Sequence, residues 1–185
     1  MAPLALLLFS CKSGKEDKGG EDYFPVLSYL KSQVAHVDTS LYRITRITTA
    51  GNQSDTAFIR REDFKKEAVD FLSIPDIAQK KLKRDYKESE WYDESMASVI
   101  LSYLPEDEDA EIRRQEVVIQ PNPEGDKVKS IFIDLLQGEG KSTVRKNMLW
   151  LVDRSFRVVT ITQNADGTEK VEKRQVVWND YPSAE

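Results

Sequence analysis

Gly138-Glu139-Gly140-Lys141-Ser142-Thr143 is the stretch of this chain that comes nearest to a phosphate-binding loop. Such a loop needs G-x-x-x-x-G-K-[ST], whose backbone amides wrap the phosphates in front of a helix N-terminus. Here Leu135 stands five positions before Gly140, so the first glycine is missing. The residues that follow read as strand, which removes the helix dipole. Met148 to Asp153 imitates the apolar strand whose terminal Asp holds magnesium, but it lies too close for an intervening crossover helix. A hairpin loop accounts for the segment better. The acidic turn Glu106 to Asp109 offers carboxylates to calcium, yet it lacks the glycine bend and the bidentate Glu of an EF-hand and reads as a solvated turn. His36, the single histidine, falls at the end of a helical pattern, where an imidazolium near the last carbonyls is mildly stabilising. No Gly-x-Ser-x-Gly elbow is present. The 32 Asp and Glu residues are spread too widely to nominate a general acid and base, which must sit in unlike environments.

The sequence therefore nominates no catalytic residue, metal site or cofactor. Its single cysteine and single histidine exclude internal disulfides and zinc centres built from thiolates or several imidazoles. A formal net charge of −5 argues against nucleic acid, whose affinity comes largely from Lys and Arg. The basic run Lys80-Lys81-Leu82-Lys83-Arg84 is followed at once by Asp85, Glu88 and Glu90, as on a solvated helix face.

The one cysteine, Cys11, has informative neighbours. Leu4 to Phe9 is almost unbroken apolar sequence, too short to span a bilayer, which takes about 20 residues. After Cys11 comes KSGKEDKGGED, with no apolar side chain to offset the entropy of ordering it. An apolar run, a small residue and a break into polar sequence is the layout of a secretory signal peptide. Leu8-Phe9-Ser10-Cys11 resembles the lipobox of bacterial lipoproteins, although Met1-Ala2-Pro3 lacks the basic residues that normally open such signals. The resemblance covers about the first eleven residues of the 185. It implies cleavage before Cys11, a diacylglyceryl thioether on its sulfur and acylation of the freed amine. Stable anchoring takes more than one chain, each buried CH₂ contributing about 0.8 kcal/mol. By the same resemblance, Lys12 in place of an inner-membrane Asp implies the outer membrane, on its periplasmic side or at the cell surface. The expected organisation is a signal peptide over 1–10, a flexible tether over 11–22 and one folded domain over 23–185.

Within the domain, Leu27, Leu30, Val34 and Val37 follow helical spacing and predict a helix from Phe24 to Val37, with Pro25 in its first turn. Leu41 to Thr49 reads as a strand ending at Gly51-Asn52. A second helix is expected over Arg61 to Leu72 with Phe64, Ala68, Phe71 and Leu72 inward, and a short one near Asp76 to Lys83. Glu90 to Leu104 fits either period; a strand is chosen because Pro105 to Asp109 makes a polar turn. From Glu111 onward, RRQEVVIQ, VKSIFIDLLQ, VRKNMLWLVD, SFRVVTITQ and VEKRQVVWN are β-rich runs with short turns between them. Connections this short join antiparallel neighbours only. The expected fold is α+β, with N-terminal helices on a curved antiparallel meander of about five to seven strands.

Side-chain alternation then predicts the faces. With two-residue turns at Arg154-Ser155 and Asp166-Gly167, one face carries Met148, Trp150, Val152, Val159, Ile161, Val176 and Trp178. The other carries Leu149, Leu151, Phe156, Val158 and Val177. Both faces are then apolar near the middle of the sheet, unlike an antiparallel sheet with one side in water. Helices can cover one face; the other calls for sheet curvature, a partner or a ligand. Trp150, Val159, Ile161 and Trp178 are accordingly the candidate apolar ligand or partner surface. The leading expectation is a non-enzymatic envelope module that binds a protein, glycan or lipid partner. The alternatives are a hydrolase whose carboxylates converge only in the fold, and an assembly factor that accepts a strand at an exposed sheet edge.

Overall fold

The computed structural model describes residues 22–41, 43–139 and 142–179. The signal-peptide and lipobox readings, Cys11 included, lie outside these residues. The described residues form an α+β structure: an N-terminal helix and short helices packed on an open, nine-stranded, wholly antiparallel sheet.

Helix α1 (Val26–Thr39) buries Val26, Leu30, Val34 and Val37, a stripe at three-and-four spacing. Pro25 stands just before it, one step outside the expected first turn. Strands β1 (Ile44–Ala50) and β2 (Gln53–Ile59) form a hairpin around Gly51, whose positive φ of 55° suits a residue without Cβ. The expected helix over Arg61 to Leu72 is broken. A 3-10 turn (Arg61–Asp63) leads into α2 (Phe64–Glu67) and α3 (Val69–Leu72), with Ala68 between them outside helical geometry. Phe64, Ala68 and Phe71 still point inward together. After α4 (Lys80–Lys83) come β3 (Tyr86–Asp93), β4 (Ser98–Pro105), β5 (Ile112–Gln120), β6 (Lys127–Glu139), β7 (Ser142–Leu151), β8 (Ser155–Gln163) and β9 (Glu169–Val177).

The sheet order is β2-β1-β9-β8-β7-β6-β5-β4-β3. Seven strands, β3 to β9, make the meander, and the β1–β2 hairpin extends it beyond β9 to nine. Two strands were not foreseen. The sequence of β2 is too polar to read as a half-buried strand because it sits at one edge. Glu90 to Leu104 is not one strand: Asp93 ends β3, its carboxylate accepts the N–H groups of Ser95 and Met96, and Ala97 turns the chain at φ 46° into β4.

The helices cover one face of the sheet. In register across it lie Val176, Phe156, Trp150, Ile131, Val117 and Leu101, all but Leu101 fully buried. Phe64 and Phe71 descend into this row. Phe71 meets Trp150 and Phe156 edge-on at 5.2 and 5.3 Å, and Phe64 meets Trp178 at 5.2 Å. Edge-to-face pairs of this kind contribute about 0.5–1.5 kcal/mol each beyond the area they bury.

Ion pairs fasten the rim of this contact. Asp70 of α3 accepts from Lys146 of β7 at 2.7 Å and from Arg174 of β9, and Glu67 of α2 pairs with Arg46 of β1 at 3.0 Å. Burial pushes the Asp70 carboxyl up, but Lys146 and Arg174 together outweigh it and leave the group below its ordinary value. A carboxylate held low in the fold stabilises it at pH values above its unfolded pKa. That contribution is lost as the pH falls through the folded value. Asp70→Asn should therefore destabilise the domain at neutral pH by about 2 kcal/mol, since it strands two partly buried cations. It should also make the acid limb of stability shallower below about pH 4. Urea unfolding of both forms across pH checks this; parallel acid limbs would contradict it.

Candidate functional site

The four residues nominated as one apolar surface separate in the fold. Trp150 and Trp178 share the helix-covered face, 0% and 2% exposed beneath Phe64 and Phe71. They are core. Their indole N–H groups have no hydrogen-bond partner, so ring packing alone holds them. Val159 and Ile161 lie half-buried on the opposite face, in register with Asn147 and Arg145.

The reason is the length of one turn. Leu151 pairs with Ser155, which leaves three residues, Val152, Asp153 and Arg154, between β7 and β8. Asp153 takes a left-handed φ of 57°, a conformation open to Asp, and Arg154 N–H closes the turn on Leu151 C=O at 3.2 Å. The extra residue brings Phe156, not Val159, opposite Trp150, and it reverses every side chain of β8. The next connection is longer as well: Gln163 pairs with Glu169 across five residues that include Gly167 at φ 83°. That second shift restores β9, so Val176 and Trp178 remain with Trp150.

The same register defines what the other face presents. A row crosses all nine strands as Phe58, Thr45, Val177, Ser155, Leu151, Ser130, Val118, Ile100 and Trp91. It contains no charged residue, and each end is an exposed aromatic, Phe58 at 65% and Trp91 at 43%. Beside it, Ile47, Leu149 and Phe132 add apolar surface. The core under α2 and α3 is drawn from the opposite side of each strand, while within this row Ile100 and Ser155 are themselves buried. The row reaches an open cleft of about 1000 Å³ at one end of the sheet, where Val118, Ser130 and Leu151 face Tyr29 and Gln33 of α1. Burial, then the charge of Asp153, raises the Tyr29 hydroxyl above its ordinary pKa and keeps it neutral.

The remaining sequence candidates take ordinary places. Gly138 pairs with Thr143 and Glu139 with Ser142, so the GKS segment is a β6–β7 hairpin whose central residues lie outside the described chain. Glu106 to Asp109 form the β4–β5 turn and line, with Pro75, Leu82 and Tyr86, a cleft of about 690 Å³. His36 is exposed in the last turn of α1. Tyr103 is the most perturbed phenol. Burial first, and then Glu88, push its hydroxyl far above the usual range while it accepts the Phe24 N–H at 3.0 Å. It serves to tie the start of α1 to β4. Among the described residues no group of three His, Cys, Asp or Glu is placed to hold a metal ion, and no helix is long and apolar enough to cross a membrane.

Comparison with protein-family models, with curated proteins and with solved structures returns no match.

Adjacent variants test the register. Val158 is buried on the helix side and Val159 half-buried on the other. Val158→Ala should cost about 2 kcal/mol, from lost transfer energy and a cavity, and Val159→Ala less than about 1 kcal/mol. Chemical denaturation measures both, and the reverse order would support the two-residue turn instead.

Proposed function

We propose that this chain is a lipid-anchored envelope protein whose folded domain binds a partner through the open face of its sheet. The supporting observation is the charge-free row from Phe58 to Trp91. An antiparallel sheet that shows one face to water ordinarily alternates apolar-in with polar-out. Here the outward positions of β5, β7 and β9 carry Val118, Leu151 and Val177, each half-buried, and the edge strands add the exposed rings of Phe58 and Trp91. Exposed apolar surface gathered in this way marks interaction sites. On the helix-covered face, Phe64 and Phe71 fill the space over Trp150, Phe156 and Trp178.

The lipobox-like Leu8-Phe9-Ser10-Cys11 supports the anchor. Cys11→Ser should move the protein from the membrane fraction to the soluble fraction when cells are fractionated; retention as firm as the wild type would remove the anchor from the account.

Strand β3 favours a second reading, in which the sheet edge accepts a strand. It is an eight-residue edge with Lys87 to Tyr92 all exposed. Lys87, Glu88 and Glu90 are also the charges by which edge strands avoid such pairing, so the open face is preferred. A photo-crosslinking residue at Val171, 45% exposed on the open face, separates the two. It should yield a discrete adduct in cell envelopes, while the same residue at exposed Lys65 of α2 should yield none. Adducts only from a probe at Glu90 would shift the function to the edge.

A further inference from the structure

We propose that the open face of β7, β8, β9 and the β1–β2 hairpin lies against an anionic lipid surface. This deepens the binding-face reading above and rests on it. Two cations, Arg157 and Lys173, stand on that face, in register with Leu149 and Val159. Among the described residues neither has an acidic partner within ion-pair distance. A third, Arg43, stacks 3.9 Å above the exposed ring of Phe58 at the sheet edge. The neighbouring arginines differ: Asp134 neutralises Arg145 through two hydrogen bonds, and Glu116 lies 3.6 Å from Arg114. On this face of the five strands the register leaves one carboxylate, Glu169 at the start of β9. A chain of net charge −5 thus gathers uncompensated positive charge on a face that also exposes Phe58 and Val171.

Unpaired Lys and Arg whose stems cross apolar ground, beside exposed apolar side chains, are what an interfacial lipid contact requires. The heads reach anionic headgroups while the apolar atoms meet the acyl boundary. Arg157 and Lys173 stand on open sheet surface, apart from the cleft beside α1. Chain length adds to this. From Cys11 to Asp22 the backbone spans at most about 40 Å, so a lipid on Cys11 keeps the domain within reach of its bilayer and raises the effective concentration of surface it meets.

Each cation near an anionic bilayer changes affinity by about fivefold. The test uses the full chain carrying Cys11→Ser, with vesicles of phosphatidylcholine alone or mixed with phosphatidylglycerol, read by co-sedimentation. Binding to the mixed vesicles is expected, weakening with salt and falling about 30-fold in Arg157→Gln/Lys173→Gln. Lys65→Gln/Lys81→Gln removes the same charge from exposed helix positions and should leave binding unchanged. Every form carries the same N-terminus, so the differences report the face. No binding to anionic vesicles, or an equal loss in the two double variants, overturns the proposal. A protein adduct at Val171 without vesicle binding overturns the lipid surface alone and leaves the open-face reading standing; the absence of both the Val171 adduct and vesicle binding removes both readings.

Discussion

The structure depends on two phenylalanines from a short, broken helix. Phe64 and Phe71, separated by the buried Ala68, reach down between Trp150, Phe156 and Trp178. With no disulfide and no metal ligand set among the described residues, this ring contact and the α1 stripe make up the hydrophobic seal on the sheet. Removing either phenylalanine would open a cavity of the kind that costs about 3–5 kcal/mol. The ion pairs of Asp70 and Glu67 lie just outside the rings and fix the orientation of helices too short to hold themselves.

That seal decides where interaction can occur. A sheet has two faces, and here one is consumed by its own helices. The opposite face keeps an uncharged row of nine residues across nine strands, with Phe58 and Trp91 exposed, Ile100 and Ser155 buried and the other five half-buried. The aromatic ends of the row, Phe58 and Trp91, lie on the two edge strands, so the row is uncharged across the whole width of the sheet. The proposed function and the proposed lipid contact are both consequences of this asymmetry.

Much of the fold is legible in the sequence where one physical signal dominates. The stripe of α1 and the five strands from Ile112 onward follow from periodicity and short turns. What escaped has local causes. β2 and β3 are edge strands, so their polar residues carry no burial pattern. The helix over Arg61 to Leu72 shows its inward residues, yet Ala68, a strong helix former, gives no sign of the break that follows from docking Phe64 and Phe71 together. For the site, the sequence shows that both faces are apolar, since MLWL and VVTI leave no polar alternation. It does not show which residues share a face, because Asp153 adopts a left-handed turn that nothing in Val152-Asp153-Arg154 announces. One residue of turn length separates Val159 from the tryptophans it was expected to join.

Tryptophan accessibility tests the central claim most directly. Of the three tryptophans, Trp91 is 43% exposed while Trp150 and Trp178 are sealed. Acrylamide should quench part of the native emission, and in Trp91→Phe the remaining emission should be blue and nearly unquenched until the protein unfolds. Strong quenching of native Trp91→Phe would mean that the helix-covered face is open to solvent, and the assignment of binding to the opposite face would then lose its basis.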